Sequence, residues 1–291
     1  MDLRETLPEL TIQGVRPSAM CGHDTPADLV ETMWATIRRE GVEAAERDAL
    51  MAQPITTALL RHGTFADGLA ARLGRKLGDA DLGTHALTGL VTEALADEPS
   101  IVRAAATDLA AVRDRDPACP DLITPFLFFK GYLAIQAHRV AHHLWRRDRQ
   151  HLARHVQSRV SEMFAVDIHP AARLGCGIMI DHGTGLVIGE TAVIEDDVSI
   201  LQGVTLGGTG KECGDRHPKI RRGVLLGAGS KVLGNIEVGE GAKVGAGSIV
   251  LSPVAPHTTV VGVPARPVGA ALTDLPALTM DQTLPGRDYA I

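Results

Sequence analysis

The sequence of 291 residues has few aromatic side chains, which make up only 3% of it. So few rings exclude the ring-rich core of a typical enzyme and suit a narrow core of Val, Ile, Leu and Ala. The formal net charge of −6 excludes the basic surface with which nucleic-acid-binding domains attract phosphates. The chain has no apolar run of membrane-spanning length, and its start, MDLRETLPEL, lacks the basic and apolar regions of a signal peptide. We therefore expect a cytoplasmic protein.

The second half of the sequence repeats every six residues. Aliphatic residues recur at this interval, often followed by glycine, at Ile188, Ile194, Ile200, Leu206, Leu226, Val232, Val238, Val244 and Val250. An α-helix has a period of 3.6 and an ordinary strand a period of 2, so neither produces this spacing. A chain that turns a corner every six residues does, and three such sides close one triangular coil. The repeat therefore predicts a parallel β-helix, a solenoid with one continuous core.

Two breaks interrupt this repeat. The step from Ile180 to Ile188 is eight residues, so we expect two extra residues around 181–185. The step from Leu206 to Leu226 is twenty residues where one side of a coil takes six, which predicts an inserted loop at 207–218. Both breaks are rich in His, Asp and Arg, which a solenoid core does not require. We therefore expect functional residues to lie in these two breaks.

The first half has the spacing of amphipathic helices and a different composition. Helices are predicted from Thr25-Pro26, at about 41–62, 65–77, 81–97 and 99–113, and as two helices between 125 and 164. The predicted domains are a poorly ordered extension at 1–24, an α-helical domain at 25–165, the solenoid at 166–270 and a flexible tail at 271–291.

Five segments stand out in a fixed order along the solenoid half. They are 166–172, 181–185, 207–211, 214–219 and 262–266. Together with residues 111–118 of the helical half, they resemble the serine O-acetyltransferases, a family of hexapeptide-repeat acyltransferases, over about residues 26–270. The resemblance implies an α+β protein with an α-helical domain followed by a left-handed β-helix. It also implies transfer of an acetyl group from acetyl-CoA to the hydroxyl of L-serine, a step of cysteine biosynthesis.

His182, in the first break, is the predicted catalytic base. Acetylation of an alcohol requires removal of a hydroxyl proton, and a neutral imidazole, whose reference pKa is about 6.5, is suited to accept it. The position of this residue in a break, directly after Asp181, favours catalysis over a histidine that only satisfies the backbone of a turn. By resemblance, Asp167 orients the imidazole through its other ring nitrogen. The alternative for Asp167 is a turn cap at the start of the solenoid.

Serine carries a carboxylate and an ammonium group, so its pocket needs a cation and at least one anion. Arg216 can bind a carboxylate through two parallel hydrogen bonds. By resemblance, Asp116 and Asp181 bind the ammonium group, and His217 lies near the hydroxyl or the carboxylate. Each of these side chains could instead be a solvated loop charge, and Asp116 in particular lies in a run typical of a charged helix end.

Acetyl-CoA is expected to lie along the solenoid, with no metal involved. By resemblance, its candidate contacts are Gly208, Thr209, Ala228, Lys243 and Ala246. Small residues are also what the corners of a coil require, so the sequence leaves both readings open for the glycine and the alanines.

The chain ends in Ile291. By resemblance, such a terminal isoleucine inserts into the active site of O-acetylserine sulfhydrylase, and a free carboxylate beside an aliphatic side chain is a suitable handle for capture. The resemblance also implies homotrimers, or hexamers formed as dimers of trimers, with active sites between neighbouring subunits.

Three alternatives remain open at this point. The substrate could be another small alcohol such as homoserine. The solenoid could be a metal enzyme of the carbonic anhydrase type, with His169, His182 and His217 as ligands. The chain could also be a non-enzymatic scaffold that binds the sulfhydrylase through its tail. Inhibition by cysteine, which mimics serine, is a further hypothesis that the sequence does not decide.

Overall fold

The computed structural model describes residues 27–210 and 213–285. Its first half is helical, with α1 (Ala27–Arg47), α2 (Ala49–Ile55), α3 (Phe65–Leu77), α4 (Thr84–Asp97), α5 (Ser100–Arg115), α6 (Ile123–Phe128), α7 (Lys130–Arg146) and α8 (Gln150–Phe164). One π-helical turn, Thr56–Leu60, follows α2. The helix predicted at 65–77 has these same bounds because Thr64 caps it, accepting a hydrogen bond from the backbone N–H of Asp67 at 3.1 Å.

Two of the predicted helices differ from the structure. The helix expected at 41–62 does not begin at 41, since α1 continues to Arg47 and α2 begins after Asp48, whose side chain accepts the backbone N–H of Leu50. The span 125–164 was expected to hold two helices, but α6, α7 and α8 occupy positions 123–164. Only Phe129, with an extended backbone, separates α6 from α7, and no glycine or proline marks that boundary.

Aromatic rings fill the centre of the helical half. Trp34, Phe65 and Phe126 contact one another with ring centroids 5.7–6.0 Å apart, and Tyr132 lies 6.5 Å from Phe126. Since rings at these separations pack edge-on or tilted, they join α1, α3, α6 and α7 into one core. This core is continuous with the core of the solenoid.

The solenoid consists of short strands in three sheets. In chain order the strands are β1 (Val166–Ile168), β2 (Arg173–Leu174), β3 (Met179–Ile180), β4 (Leu186–Ile188), β5 (Val193–Ile194), β6 (Ser199–Ile200), β7 (Thr205–Gly207), β8 (Lys219–Ile220), β9 (Leu225–Leu226), β10 (Lys231–Leu233), β11 (Glu237–Val238), β12 (Lys243–Val244), β13 (Ile249–Val250), β14 (Thr258–Gly262) and β15 (Ala265–Ala270). Every third strand pairs in parallel up to β13, and β12 then pairs with β14. This gives sheet A (β1-β4-β7-β10-β13), sheet B (β2-β5-β8-β11) and sheet C (β3-β6-β9-β12-β14). The antiparallel β15 ends sheet C. The fold class predicted from the six-residue repeat is confirmed, while left-handedness stays an implication of the resemblance.

The strand pairing between coils shows how many residues each of the two breaks adds. A regular coil takes 18 residues, as between Lys231 and its partner Ile249. The first coil takes 20, from Val166 to Leu186, so the first break adds the two residues that the sequence predicted.

The second break is smaller than the sequence indicated. Lys219 and Ile220 form β8, which pairs with β5, so Ile220 is an inward-facing residue that the sequence reading passed over. Partners across this coil, such as Val193 and Lys219, are 26 positions apart, eight more than in a regular coil.

The C-terminal segment 271–285, predicted as part of a flexible tail, lies against the solenoid. It contains a short helix, α9 (Pro276–Thr279), whose Ala277 donates a backbone hydrogen bond to the carbonyl of Gly223 at 3.2 Å. The side chain of Leu275 packs against the Cα of Gly223. Within the described parts of the chain, no helix is both long and apolar enough to cross a membrane.

Candidate active site

The predicted site residues lie mainly along two edges of the triangular solenoid. The CA edge, where the chain passes from sheet C to sheet A, consists of the corners 181–185, 201–204, 227–230 and 245–248. The AB edge, where it passes from sheet A to sheet B, consists of 169–172, 189–192, 208–218 and 234–236. One side of the triangle therefore separates the two edges, at most about 20 Å for six residues of extended chain.

His182 lies on the CA edge in the first break. Its side chain is 73% exposed, and its backbone has a φ of +56°, a region that residues other than glycine seldom adopt. The ring nitrogen Nε2 is 3.8 Å from Oδ1 of Asp181. A non-glycine residue held in this conformation is typical of functional sites, and here it turns an imidazole out into solvent.

Two carboxylates accompany this histidine. Asp181 directly follows β3, and its backbone N–H donates to the carbonyl of Ile200 at 2.8 Å. Burial raises the pKa of Asp181, and the negative charge of Asp116 raises it further. Asp116 comes from the helical half and directly follows the last residue of α5. The structure thus places Asp181 next to His182 and within electrostatic range of Asp116.

Asp167 lies on β1, the end strand of sheet A. Its Oδ1 accepts a hydrogen bond from Nε2 of Gln157 at 2.7 Å. Among the described residues, no hydrogen bond or ion pair joins Asp167 to His182. The loop of His182 is nevertheless tied to the chain just before β1, because the backbone N–H of Gly185 donates to the carbonyl of Ala165 at 2.7 Å. The predicted pairing of the two residues requires the exposed imidazole to turn toward β1.

Arg216 and His217 lie on the AB edge instead. Nη2 of Arg216 is 2.7 Å from Oε2 of Glu190, one coil below, and this hydrogen bond lowers the pKa of the carboxyl. Burial lowers the pKa of His217, and the charge of Arg216 lowers it further. The imidazole of His217 packs directly on the Cα of Gly189, where a Cβ would be only 2.0 Å from the ring.

Thr191 holds both residues in place. Its Oγ1 accepts the backbone N–H of Arg216 at 3.0 Å and that of His217 at 3.1 Å, and it lies 2.9 Å from Nδ1 of His217. Glu190 and Thr191 were not predicted from the sequence. These contacts span 25 or 26 positions, so only the register of the coils reveals them. The single sequence signal was their position between two repeat residues, Ile188 and Ile194.

The candidate acetyl-CoA residues divide between the edges and sheet C. Ala228 and Ala246 lie on the CA edge above His182. Consecutive corners of this edge are joined by backbone hydrogen bonds of 2.8–2.9 Å, from Gly203 to Thr184, from Gly229 to Gln202 and from Gly247 to Ala228. These alanines therefore continue the column of corners that begins with the loop of His182. Gly208 and Thr209 start the long loop of the AB edge.

Lys243 is a candidate acetyl-CoA contact whose side chain is buried in the structure. It lies on β12 in sheet C and is only 2% exposed. Its ammonium group donates to the carbonyl oxygens of Asp281 (3.1 Å) and Thr283. Burial lowers the pKa of Lys243. A ligand can reach this side chain only if the segment around 281–283 moves away.

The three histidines of the metal alternative do not meet within one chain. His169 and His217 are on the AB edge and His182 on the CA edge. Among residues 27–210 and 213–285, no three or more His, Cys, Asp or Glu side chains could together hold a metal ion. Ile291 lies outside the described residues, as does Lys211 of the long loop.

Comparisons with known proteins agree with this architecture. The family model "Serine acetyltransferase, N-terminal" matches residues 33–137, and the model "Bacterial transferase hexapeptide (six repeats)" matches residues 217–252. The serine acetyltransferase of Salmonella typhimurium is 52% identical over 261 residues, which cover 90% of this chain and 96% of that protein.

Solved structures of ligand complexes are also similar. Soybean serine acetyltransferase complexed with serine superposes with a TM-score of 0.82 at 52% identity, covering 84% of this chain and 100% of that one. Serine acetyltransferase from Brucella abortus in complex with coenzyme A has a TM-score of 0.82 at 48% identity, covering 84% and 97%. From the two family models, this level of identity over nine-tenths of the chain and the shared fold, we conclude that the chain belongs to the serine acetyltransferase family.

Proposed function

We propose that this chain is an L-serine O-acetyltransferase that transfers the acetyl group of acetyl-CoA to the serine hydroxyl. The observation that carries the proposal is the exposed His182, held at positive φ beside Asp181 and Asp116. The complexes of similar enzymes with serine and with coenzyme A support both substrates.

The reaction proceeds by direct attack in a ternary complex. His182 takes the hydroxyl proton of serine as the oxygen attacks the thioester carbonyl, and a tetrahedral intermediate forms. The C–S bond then breaks, and the departing thiolate of CoA receives the proton from the imidazolium. Products are O-acetyl-L-serine and CoA, and no residue of the protein is acetylated. The protein's part is to hold both substrates in line and to place the base.

Asp167 orients the imidazole in this proposal. When the exposed ring of His182 turns toward β1, a carboxylate on its other nitrogen selects the tautomer that can accept the proton. The anchored connection between Gly185 and Ala165 supports the assignment, because it keeps the loop next to β1.

The serine pocket uses charges from both edges. Asp116 and Asp181 bind the ammonium group, Arg216 binds the carboxylate through its planar fork, and His217 faces the hydroxyl or carboxylate. A serine molecule is far shorter than the side of the triangle that separates Arg216 from Asp181. We therefore propose that Arg216 and His217 act on serine held by a neighbouring subunit, so that the trimer, alone or paired into a hexamer, is the active form.

Acetyl-CoA is proposed to lie along the CA edge. Ala228 and Ala246 leave room for it above His182, and Gly208 and Thr209 of a neighbouring subunit's loop approach from the other side. A thioester placed at the lower end of this column of corners is next to the catalytic imidazole. Lys243 joins the contact only when the C-terminal segment has left it.

Release of free thiol from acetyl-CoA, measured with serine and with homoserine, tests the substrate. We expect turnover with serine and a lower kcat/KM with homoserine, and the reverse order would transfer the assignment to homoserine. Metal analysis of the purified protein accompanies this assay. Stoichiometric zinc whose removal by a chelator abolishes activity would favour the metal alternative instead.

The terminal Ile291 is proposed to bind O-acetylserine sulfhydrylase. Removal of Ile291 should abolish binding of the sulfhydrylase, measured by calorimetry, and leave acetyl transfer unchanged. His182→Ala should do the opposite, which separates the enzyme from a pure scaffold. A cysteine titration at fixed serine tests whether cysteine competes for the same pocket. The cytoplasmic location stays a prediction.

A further inference from the structure

Arg115, the last residue of α5, is a buried cation with two partners on the solenoid. Its side chain is 1% exposed, and Nη2 lies 3.4 Å from Oδ1 of Asp197, which is equally buried. Nη1 donates to Oγ of Ser199 at 3.1 Å. Breaking a buried pair on one side strongly destabilises a protein, so these contacts hold the end of α5 firmly against sheet C.

The residue that follows this anchor is Asp116. It adopts an extended backbone where the helix ends, and its Oδ1 accepts the backbone N–H of Ala118 at 2.8 Å. Asp116 is joined to the anchored Arg115 by a single peptide bond. The contacts that hold Arg115 therefore also restrict the position of Asp116 relative to the solenoid.

One of the partners of Arg115, Ser199, belongs to the same strand pair that places Asp181. In the pairing of β6 with β3, Ser199 lies opposite Met179. The next residue of β6, Ile200, accepts the backbone N–H of Asp181 at 2.8 Å. One strand thus fixes one carboxylate through its backbone and the other through Ser199 and Arg115.

We propose that Arg115 is a positioning residue that fixes Asp116 beside Asp181, so that the two carboxylates bind the ammonium group of the substrate together. The inference rests on the proposed function and adds to it a residue that does not touch the substrate. Two like charges held close together repel each other, so a rigid external anchor is needed to keep them in place until the ammonium group arrives.

A second buried pair on α5 provides a matched control. Arg139 of α7 binds Asp108 with Nη2 2.7 Å from Oδ2, at 9% and 0% exposure, and also donates to the carbonyl of Gly175. Asp108 lies two turns before the end of α5. Loss of this pair weakens the docking of the helical half without acting at the helix end that carries Asp116.

The test compares Arg115→Lys, Ser199→Ala and Arg139→Lys in the full-length protein. Lysine keeps the charge of Arg115 but cannot reach both partners with a planar fork. We expect KM for serine to rise about tenfold in Arg115→Lys and about threefold in Ser199→Ala, because a displaced carboxylate weakens a charge-assisted hydrogen bond. KM for acetyl-CoA should stay within about twofold in both variants, and Arg139→Lys should keep both constants, at a thermal midpoint lowered to a similar degree.

Competition by 3-hydroxypropanoate separates positioning from general loosening. This compound keeps the carboxylate and hydroxyl of serine but lacks the ammonium group. Its inhibition constant should be unchanged in Arg115→Lys. An equal rise of this constant and of KM for serine, or an unchanged KM for serine in both variants, would overturn the inference. If Arg115→Lys does not fold, Ser199→Ala alone decides between these results.

A failure of the proposed function gives a different pattern. In that case the wild-type protein itself would not acetylate serine. The inference is contradicted only when wild-type turnover is intact and the selective effect on serine is missing.

Discussion

The two edges that flank sheet A carry different kinds of functional group in different settings. On the CA edge, a break of two residues leaves the imidazole of His182 exposed, and within the described part of the chain no hydrogen bond joins this ring to another side chain. On the AB edge, an insertion of eight residues holds Arg216 and His217 through Glu190 and Thr191. In the proposed mechanism, His182 therefore moves during the reaction, while Arg216 and His217 are ordered before the substrate arrives.

Removal of the base should have the largest effect. In His182→Ala we expect kcat to fall by about 10²–10⁴-fold, the usual contribution of a general base, with a much smaller change in KM for serine. Steady-state thiol release measures both. His257→Ala is the matched control, because His257 is also exposed at a corner with a φ of +51°. Comparable losses of kcat in the two variants would contradict the catalytic role proposed for His182.

Replacement of the ordered cation should mainly affect substrate binding. In Arg216→Lys we expect KM for serine to rise about 10- to 100-fold, because lysine cannot form the two parallel hydrogen bonds to a carboxylate. The same kinetic assay measures it. Arg221→Lys, in an ion pair with Glu195 at 2.6 Å, should leave KM unchanged. A selective fall in kcat instead would show that Arg216 acts in the chemical step.

The carboxylates of Asp181 and Asp116 predict a pH dependence of serine binding. As the pH falls, Asp181 is protonated at a higher pH than an ordinary aspartate, because burial and the charge of Asp116 raise its pKa. The neutral acid cannot pair with an ammonium group, so serine affinity should decrease toward acid pH. Calorimetry on His182→Ala isolates this loss from titration of the base.

In the same background, Asp116→Asn should shift the loss to lower pH. Removal of the neighbouring negative charge favours the ionised form of Asp181, so its pKa falls. The exposed Asp114→Asn is the control and should leave the pH of half-maximal binding unchanged. A shift to higher pH in Asp116→Asn would contradict the placement of the two carboxylates side by side.

The smallest effect is expected from the support of Arg216. In Glu190→Gln the carboxylate partner is lost but the hydrogen-bond acceptor remains, so KM for serine should rise only about threefold. Glu195→Gln removes an ion pair of the same kind from sheet B and serves as control. An effect as large as that of Arg216→Lys would mean that Glu190 itself contacts the substrate.

Regions with a regular pattern in the sequence were predicted best. The six-residue period gave the solenoid, its inward-facing residues and the two-residue size of the first break. It misjudged the second break because Ile220 lies alone, after a loop of irregular length, and a single aliphatic residue carries no period. In the helical half, α3 has a strong cap at Thr64 and was predicted with its true bounds. The boundary at Phe129 has no such signal and was missed.

The candidate site shows the same division. His182, Asp181 and Arg216 were predicted as site residues because charged and ring side chains in a break of an aliphatic repeat are unusual. Glu190 and Arg115 were not, because their partners are 26 and 82 positions away along the chain.

The amino-acid sequence by itself determined the coil, since a residue every six positions must face a narrow core whatever surrounds it. It also determined where the coil is interrupted by polar groups. Only the tertiary structure decided which of those groups share an edge, because that depends on the register of the coils and on how the end of α5 docks against sheet C. Both are long-range effects: inserted residues are accommodated at the corners, so strand partners lie up to 26 positions apart. The buried Arg115 likewise needs partners that the local sequence does not contain.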